Sequence, residues 1–241
     1  MILFRQLDDA NPALSQTHLL RSALLTIDYI EEHGAIGLTP AMALKRHFVA
    51  WAAEAFNWPN YTAQDLYAVN KVLNEHDFPP LMVLHNVLLS TKLARHYKGT
   101  MRLTKLGREL KSRPAQLWTL LATHILFYVD YTPYTRTDEP LLGNWDIFLN
   151  VINVEAQAGV SEERLISVLY GRDEEDIRYY DYKLSAAFYV HVLRPLCWAG
   201  LLEEQRSGTG LGQRELFTKT ALWSAALKLK TDAHLQSVTC H

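Results

Sequence analysis

Cysteine is scarce in this chain of 241 residues, and the two that occur, Cys197 and Cys240, give no disulfide framework. Such usage is typical of a reducing compartment, so we expect a cytoplasmic protein. The sequence also lacks an uncharged apolar run of about 18 residues, the length that a transmembrane helix needs. Its first residues, MILFRQLDDANP, carry acids where a secretory signal has its apolar core. We therefore predict neither a membrane span nor a membrane partner.

The common motifs of enzyme and metal chemistry are missing as well. None of the ten histidines belongs to a His-Glu-x-x-His motif or to a Cys/His cluster with metal-ligand spacing. There is no Gly-x-Ser-x-Gly nucleophile elbow, and the glycine-rich segment 208–212 lacks the Lys-Ser/Thr pair of a phosphate-binding loop. We predict a non-enzymatic protein with no catalytic residue, no metal site and no cofactor.

The composition and the spacing of apolar residues predict a folded, mainly helical protein. Hydrophobic residues make up 49% of the chain and charged residues 21%, a balance that supports a core without metals or disulfides. Apolar side chains recur every three or four residues, as they do along one face of a helix. Capping residues and prolines predict helix starts at Ser15, Thr39-Pro40, Thr62, Thr104, Pro114, Ser161 and Thr218.

One segment departs from this helical pattern. Residues 93–103 are typical of two short strands joined by a Lys98-Gly99 turn, between an apolar helix and a helix capped by a threonine. The same order recurs over residues 187–227, where LFTKTALWSAAL matches the earlier RLTKLGREL. We expect residues 206–213, which contain three glycines, to form the flexible tip of the second hairpin.

The two copies of this order predict two structural units. Residues 130–144 contain two prolines and a Gly-Asn pair, which favour a linker or an inter-unit loop. An ordered surface loop within one domain is the alternative. We predict an N-terminal unit over 1–129 and a C-terminal unit over 145–241. The expected fold is mainly α, with two winged-helix-like units in tandem and short β-hairpin wings.

Positive charge is concentrated in residues 92–113. Eight Lys and Arg side chains stand there against one acid, Glu109, a net charge of +7, while the whole chain carries −2 and the rest therefore −9. Such a segment attracts a polyanion at close range, whatever the average charge. Two alternatives remain open. The segment is a solvated basic surface without a partner, or it docks on an acidic protein surface such as the run Asp173–Asp176 of this chain.

Short motifs at these places resemble known proteins. The segment RLTKLGREL resembles the L-T-x-x-G-x-x-L element after the wing of many winged-helix regulators, and AGLLE at 199–203 resembles the strand after their recognition helix. More closely, IGLT at 36–39, Phe48-Val49 and LTKLGRELKSRPAQLW resemble the helical region attached to plasmid open-reading-frame-three-like proteins, over residues 20–125. Members of that group mostly lack an assigned activity, so the resemblance implies a fold more than a function.

We expect a regulatory protein that contacts the backbone of double-stranded DNA through the first wing. The helix before the wing, around residues 81–89, is too apolar to read base edges in a major groove. The alternative is a protein-interaction adaptor or a self-associating protein, such as a homodimer, that uses the same fold. The candidate nucleic-acid contacts are Lys92, Arg95, Tyr97, Lys98, Arg102, Thr104, Lys105, Arg108 and Lys111.

Overall fold

The computed structural model describes residues 3–135, 138–206, 214–233 and 235, and the chain divides into two compact units. The N-terminal unit is Asp8–Val129, and the C-terminal unit takes the chain from Asp130 onwards together with residues 3–7, which contain strand β1 (Leu3–Phe4). Helices make up 58% of the protein and strands 12%, which confirms a mainly helical fold with small antiparallel sheets. Of the helices described, none is long and apolar enough to cross a membrane.

The N-terminal unit packs its helices on one side of a small sheet. Its core includes the fully buried side chains of Phe48, Phe56 and Trp118. The helices are α1 (Pro12–Ser15), α2 (His18–His33), α3 (Arg46–Phe56), α4 (Ala63–Val69), α5 (Pro79–Ser90), α6 (Lys105–Lys111) and α7 (Pro114–Phe127), with a 3₁₀ turn at Glu75–Asp77. The strands β2 (Ile36–Gly37), β3 (Ala94–Tyr97) and β4 (Thr100–Leu103) form an antiparallel sheet of order β2-β4-β3.

Helix α5, which directly precedes the β3–β4 hairpin, is buried on most of its surface. Its apolar residues Leu81, Val83 and Leu84 are each about 1% exposed, and only Asn86 and Ser90 on this helix are exposed to solvent. This burial follows from its sequence, because a helix that is apolar all round has no polar face to turn to water.

The C-terminal unit contains a second hairpin and a two-stranded pairing with the start of the chain. Its helices are α8 (Trp145–Glu155), α9 (Glu162–Tyr170), α10 (Glu174–Tyr179), α11 (Tyr182–Phe188), α12 (Arg194–Trp198) and α13 (Ala221–Ala226), with a 3₁₀ turn at Thr132–Tyr134 and a π-helical segment at Tyr189–Leu193. Strands β5 (Leu202–Arg206) and β6 (Arg214–Lys219) pair antiparallel, and β7 (Leu227–Lys228) pairs with β1. The predicted flexible tip at 206–213 lies outside the described residues from position 207 on.

The first residues of the chain belong to the C-terminal unit, whereas the sequence predicted them in the first. In addition to the β1–β7 pairing, the Arg5 backbone N–H donates to Ala226 at 2.7 Å, and its side chain Nε donates to the carbonyl of Leu227 at 2.7 Å. The segment 130–144, expected to link the units, also groups with the C-terminal unit.

Local capping signals located several helix starts correctly. Thr62 forms a full capping box with Asp65, and the Thr104 side chain accepts a hydrogen bond from the N–H of Gly107. Pro114 is the first residue of α7, and Ser161 caps α9. These helix starts depend on contacts between residues within one turn of helix, so they can be predicted from the local sequence.

Three other predicted helix starts are wrong. Thr17 and Thr220, each two residues further on, precede α2 and α13 in place of Ser15 and Thr218. No helix starts at Thr39-Pro40, since the Thr39 N–H donates to Ala43 at 2.8 Å in a loop closed by a bridge between Leu38 and Leu44. Helix α3 begins only at Arg46.

The two hairpins are closed by equivalent threonines. The hydroxyl of Thr104 donates to the carbonyl of Lys92 at 2.7 Å, and that of Thr220 donates to the carbonyl of Gly200, also at 2.7 Å. Both acceptor residues have positive φ angles, 60° at Lys92 and 78° at Gly200. The match between RLTKLGREL and LFTKTALWSAAL aligns Thr104 with Thr218, so the structural equivalence is shifted by two residues from the sequence echo. Gly200 adopts this conformation more easily than a lysine does.

The strand order also corresponds between the units. In the C-terminal unit, Val160 forms an isolated antiparallel bridge with Phe217 of β6. Val160 thus lies beside β6 as β2 lies beside β4. The order in the N-terminal unit is β2, β4, β3, and the corresponding order in the C-terminal unit is Val160, β6, β5.

Candidate nucleic-acid interface

The outer face of the β3–β4 hairpin carries the cationic residues. Arg95 lies opposite Arg102 and Tyr97 opposite Thr100, and because side chains alternate along a strand, these four share one face. The opposite face enters the core, with Met101 fully buried. The turn itself uses Lys98 and Gly99, both with positive φ, as the predicted two-residue turn requires.

Tyr97 is the centre of a cluster of three cations. The guanidinium carbons of Arg95 and Arg102 lie 5.6 and 5.3 Å from the centre of its ring, and the Lys98 ammonium lies at 5.3 Å. In the part of the chain that the structure describes, none of the three has a carboxylate partner. The ring holds them at cation–π distance, which partly offsets their mutual repulsion. The result is a localised positive charge with no carboxylate counter-ion among the described residues.

A cleft beside this cluster is lined by four cations. Helix α6 starts directly after β4, so Lys105 and Arg108, three positions apart, lie on one side of the helix next to Arg95 and Arg102. The cleft has a volume of about 440 Å³, and Gly34, Leu103 and Thr104 complete its lining. Lys105 also approaches Glu109 at 3.6 Å, but both are exposed, and such pairs are weak.

Two of the predicted contact residues are already engaged within the fold. Lys111 lies 2.6 Å from both Asp28 and Glu31, and the hydrogen bonds to these carboxylates raise its pKa to about 12. Its charge is therefore neutralised locally. The Thr104 hydroxyl both caps α6 and closes the hairpin, so its role is structural. The remaining predicted cation, Lys92, is exposed at the start of the hairpin.

Behind the sheet lies a hydrogen-bonded network that sequence analysis did not find, made of the buried Glu75 and His85 and the half-buried His96. His96 lies between the outward Arg95 and Tyr97 and turns inward, and its Nε2 is 2.9 Å from Nε2 of His85. Nδ1 of His85 is 2.6 Å from a carboxylate oxygen of Glu75, whose other oxygen accepts the Leu44 N–H at 2.6 Å. Both Glu75 and His85 are about 5% exposed. Strand alternation could have predicted the inward position of His96. Its neighbours Arg95 and Tyr97 suit the exposed face of the strand, so the residue between them points to the opposite face.

We expect the Glu75–His85–His96 hydrogen-bonded network to make the stability of the N-terminal unit depend on pH. Burial lowers the pKa of His96 below its ordinary value of 6.5, and the nearby His85 lowers it further. Below pH 6.5 the unfolded chain binds the proton more readily than the folded one, so the stability contributed by neutral His96 is lost as the pH falls. We expect a lower midpoint of urea unfolding at pH 5.5 than at pH 7.5, and a smaller pH effect in His96→Gln. An equal effect in that variant would assign the pH dependence to other groups.

Comparison with known proteins places the chain in a family. A model of the Y4jL N-terminal domain matches residues 15–116, and a model of the y4jL C-terminal domain matches residues 135–221. The uncharacterized protein y4jL of Sinorhizobium fredii is 41% identical over 155 residues, which cover 63% of this chain and 70% of that protein. The chain belongs to the y4jL family. Each y4jL domain match lies within one of the two units, and the whole cationic segment 92–113 lies within the N-terminal match.

No solved structure matches this chain. The relative is described only as uncharacterized, so the family adds no activity to the geometry. Neither y4jL domain match bears on the resemblance to winged-helix regulators or to the plasmid proteins, which stays a prediction.

Proposed function

We propose that this y4jL-family protein is a non-enzymatic regulatory protein that holds double-stranded DNA by its phosphate backbone through the β3–β4 hairpin. The observation that carries the proposal is the cleft lined by Arg95, Arg102, Lys105 and Arg108, with Lys98 and Tyr97 beside it. Among the described residues the three arginines of this cleft have no carboxylate partner, and Lys105 has only the exposed Glu109. Such clustered cations attract a polyanion and release its condensed counter-ions on binding. We also propose that the protein is located in the cytoplasm.

The order of elements supports a winged-helix description of both units. In the N-terminal unit, α2, β2, α3, α5, β3 and β4 occur in the order helix, strand, helix, helix, strand and strand, with the short helix α4 inserted between α3 and α5. The C-terminal unit repeats this order, with Val160 at the place of the first strand. We infer two winged-helix-like units in tandem, of which the first carries the cationic wing.

The buried state of α5 favours backbone contact over base reading. A helix that reads bases must present polar side chains along an outward face. Helix α5 exposes only Asn86 and Ser90, on its last two turns. Phosphate contacts from the wing need no such helix, and they carry no sequence preference of their own.

The salt dependence of DNA affinity tests this proposal. For about four phosphate contacts, the logarithm of the binding constant should fall with the logarithm of salt concentration with a slope of about −3.6. We expect similar slopes and affinities for two duplexes of unrelated sequence, measured by fluorescence anisotropy with the full chain. A slope near zero, or no binding at low salt, would remove the proposal.

Exposed aromatic residues favour a second candidate function, protein interaction. Tyr179, Tyr180 and Tyr182 of the C-terminal unit are 70%, 76% and 64% exposed, and tyrosine is enriched in protein interfaces. Sedimentation over a range of concentrations separates the two functions. Self-association without a DNA complex would favour an adaptor or a homodimer over the DNA-binding protein.

A further inference from the structure

The cleft beside the β3–β4 hairpin concentrates more positive charge than a DNA backbone uses at one point. Four cations, Arg95, Arg102, Lys105 and Arg108, line a volume of about 440 Å³. This volume lies within the size range of small-molecule sites. A duplex backbone carries one negative charge per phosphate and spreads these charges along the outside of the double helix. The cleft therefore holds more cations than the few phosphodiesters beside it would neutralise.

The donors of these cations are available to a ligand. Among the described residues the three arginines have no carboxylate partner, and Lys105 has only the weak pair with Glu109 at 3.6 Å. The Nε of Arg102 donates to the Thr100 hydroxyl at 3.2 Å, so its terminal nitrogens remain for an anion. Like charges held close together repel one another, and a compact polyanion removes this repulsion in one binding step.

The backbone around the cleft is held in place, and one wall is open. Gly107 lets α6, which carries Lys105 and Arg108, approach the hairpin so closely that a Cβ there would lie 2.2 Å from the carbonyl oxygen of Leu93. On another wall, a Cβ built on Gly34 would meet no atom within 4 Å, so this glycine leaves space. The chain segments that carry the four cations are therefore brought together before any ligand binds, which lowers the cost of binding.

We propose that this cleft binds a compact polyphosphate, the chemical group shared by nucleoside triphosphates and inorganic polyphosphate, and that the bound polyphosphate displaces DNA. Guanidinium and ammonium groups make strong charge-assisted hydrogen bonds to phosphate oxygens. A chain of three phosphates carries about four negative charges at pH 7.5, because terminal phosphates lose their second proton near pH 6. Its charge matches that of the cleft within a short length. The displacement of DNA rests on the proposed function, whereas the polyphosphate site does not.

Inorganic tripolyphosphate and ATP are the probes, used with the full chain, in EDTA and at constant ionic strength. In calorimetric titrations, tripolyphosphate should bind at least about tenfold more tightly than inorganic phosphate, which brings fewer charges into the cleft. ATP that binds as tightly as tripolyphosphate, or more tightly, would assign the ligand to the nucleotides. ATP that binds much more weakly would assign it to inorganic polyphosphate. Tripolyphosphate that binds no more tightly than phosphate would overturn the site.

Arg108→Gln tests whether the cleft is the place of binding. The substitution removes one cation from the cleft and should weaken tripolyphosphate binding about tenfold. Lys71→Gln removes the same charge from an exposed position of the same unit and should change the affinity less than about twofold. Both side chains are exposed, so both variants should keep the unfolding temperature of the wild type. Equal losses of affinity in the two variants would overturn the assignment to the cleft.

Displacement of a fluorescent duplex separates this inference from the proposed function. Tripolyphosphate should release the duplex from the wild-type protein at concentrations where KCl of the same ionic strength does not. If the duplex binds with the expected salt slope and tripolyphosphate acts only as KCl does, the polyphosphate inference fails and the proposed function stands. If tripolyphosphate binds and no duplex binds at low salt, the proposed function fails and the polyphosphate site stands.

Discussion

Replacing Gly107 with alanine is expected to destabilise the N-terminal unit by about 3 kcal/mol or more, because an added methyl group meets fixed backbone. A Cβ at this position would lie 2.2 Å from the carbonyl oxygen of Leu93 and 3.1 Å from its carbonyl carbon. That oxygen also accepts the N–H of Thr104 at 3.0 Å, so it cannot move away without opening the hairpin. Denaturant unfolding at pH 7.5 measures the loss.

Gly37→Ala is the matched control for this substitution. Its Cβ would meet only the Lys45 side chain, at 2.9 Å, and a flexible side chain can shift. We expect a cost of less than about 1 kcal/mol. A cost as small for Gly107→Ala as for Gly37→Ala would show that α6 moves readily away from Leu93, the residue before β3. In that case the placement of Lys105 and Arg108 beside the hairpin would not depend on the close approach of α6 to β3.

The double substitution Arg95→Glu with Arg102→Glu is expected to weaken duplex DNA binding by about 100-fold or more at low salt. The two residues lie opposite each other in the hairpin, so the substitution reverses the sign of the charge at the centre of the positive surface. The salt slope should become shallower by about two, because each arginine would otherwise neutralise one phosphate. Both side chains are exposed, so the stability of the fold should stay nearly unchanged.

A control with the same change in net charge separates the site from bulk charge. Lys71 and Lys183 are exposed lysines, one in each unit. Lys71→Glu combined with Lys183→Glu should leave DNA affinity within a few-fold of the wild type. If this control weakens binding as much as the hairpin variant does, the overall charge explains the affinity and the wing is not the contact surface.

Features encoded within a few residues were predictable from sequence. The Lys98-Gly99 turn, the Thr62–Asp65 capping box and the Thr104 cap all depend on contacts between near neighbours. The position of the cationic segment was equally visible, because charge is a property of composition. These signals located the hairpin and most of the cleft.

Features that depend on distant contacts were not predictable. Lys111 looked like a free cation, but its partners Asp28 and Glu31 lie some 80 positions earlier in the sequence. Thr39-Pro40 carries a good helix-start signal, yet the loop around it is held by distant partners, because the Leu38 N–H donates to the carbonyl of Gly99 and the Leu44 N–H donates to Glu75. In each case tertiary contacts outweigh the local preference.

The β1–β7 pairing has a consequence for the order of events during synthesis. Arg5 and Leu227, which bond at this pairing, are separated by 222 positions. The ribosome releases every residue of Asp8–Val129 well before Leu227 emerges, so that unit can fold while the C-terminal unit is still being translated. The segment around Arg5 must wait until Leu227 is made before it can pair. The C-terminal unit is therefore expected to complete its fold late, through a contact between two segments 222 positions apart in the sequence.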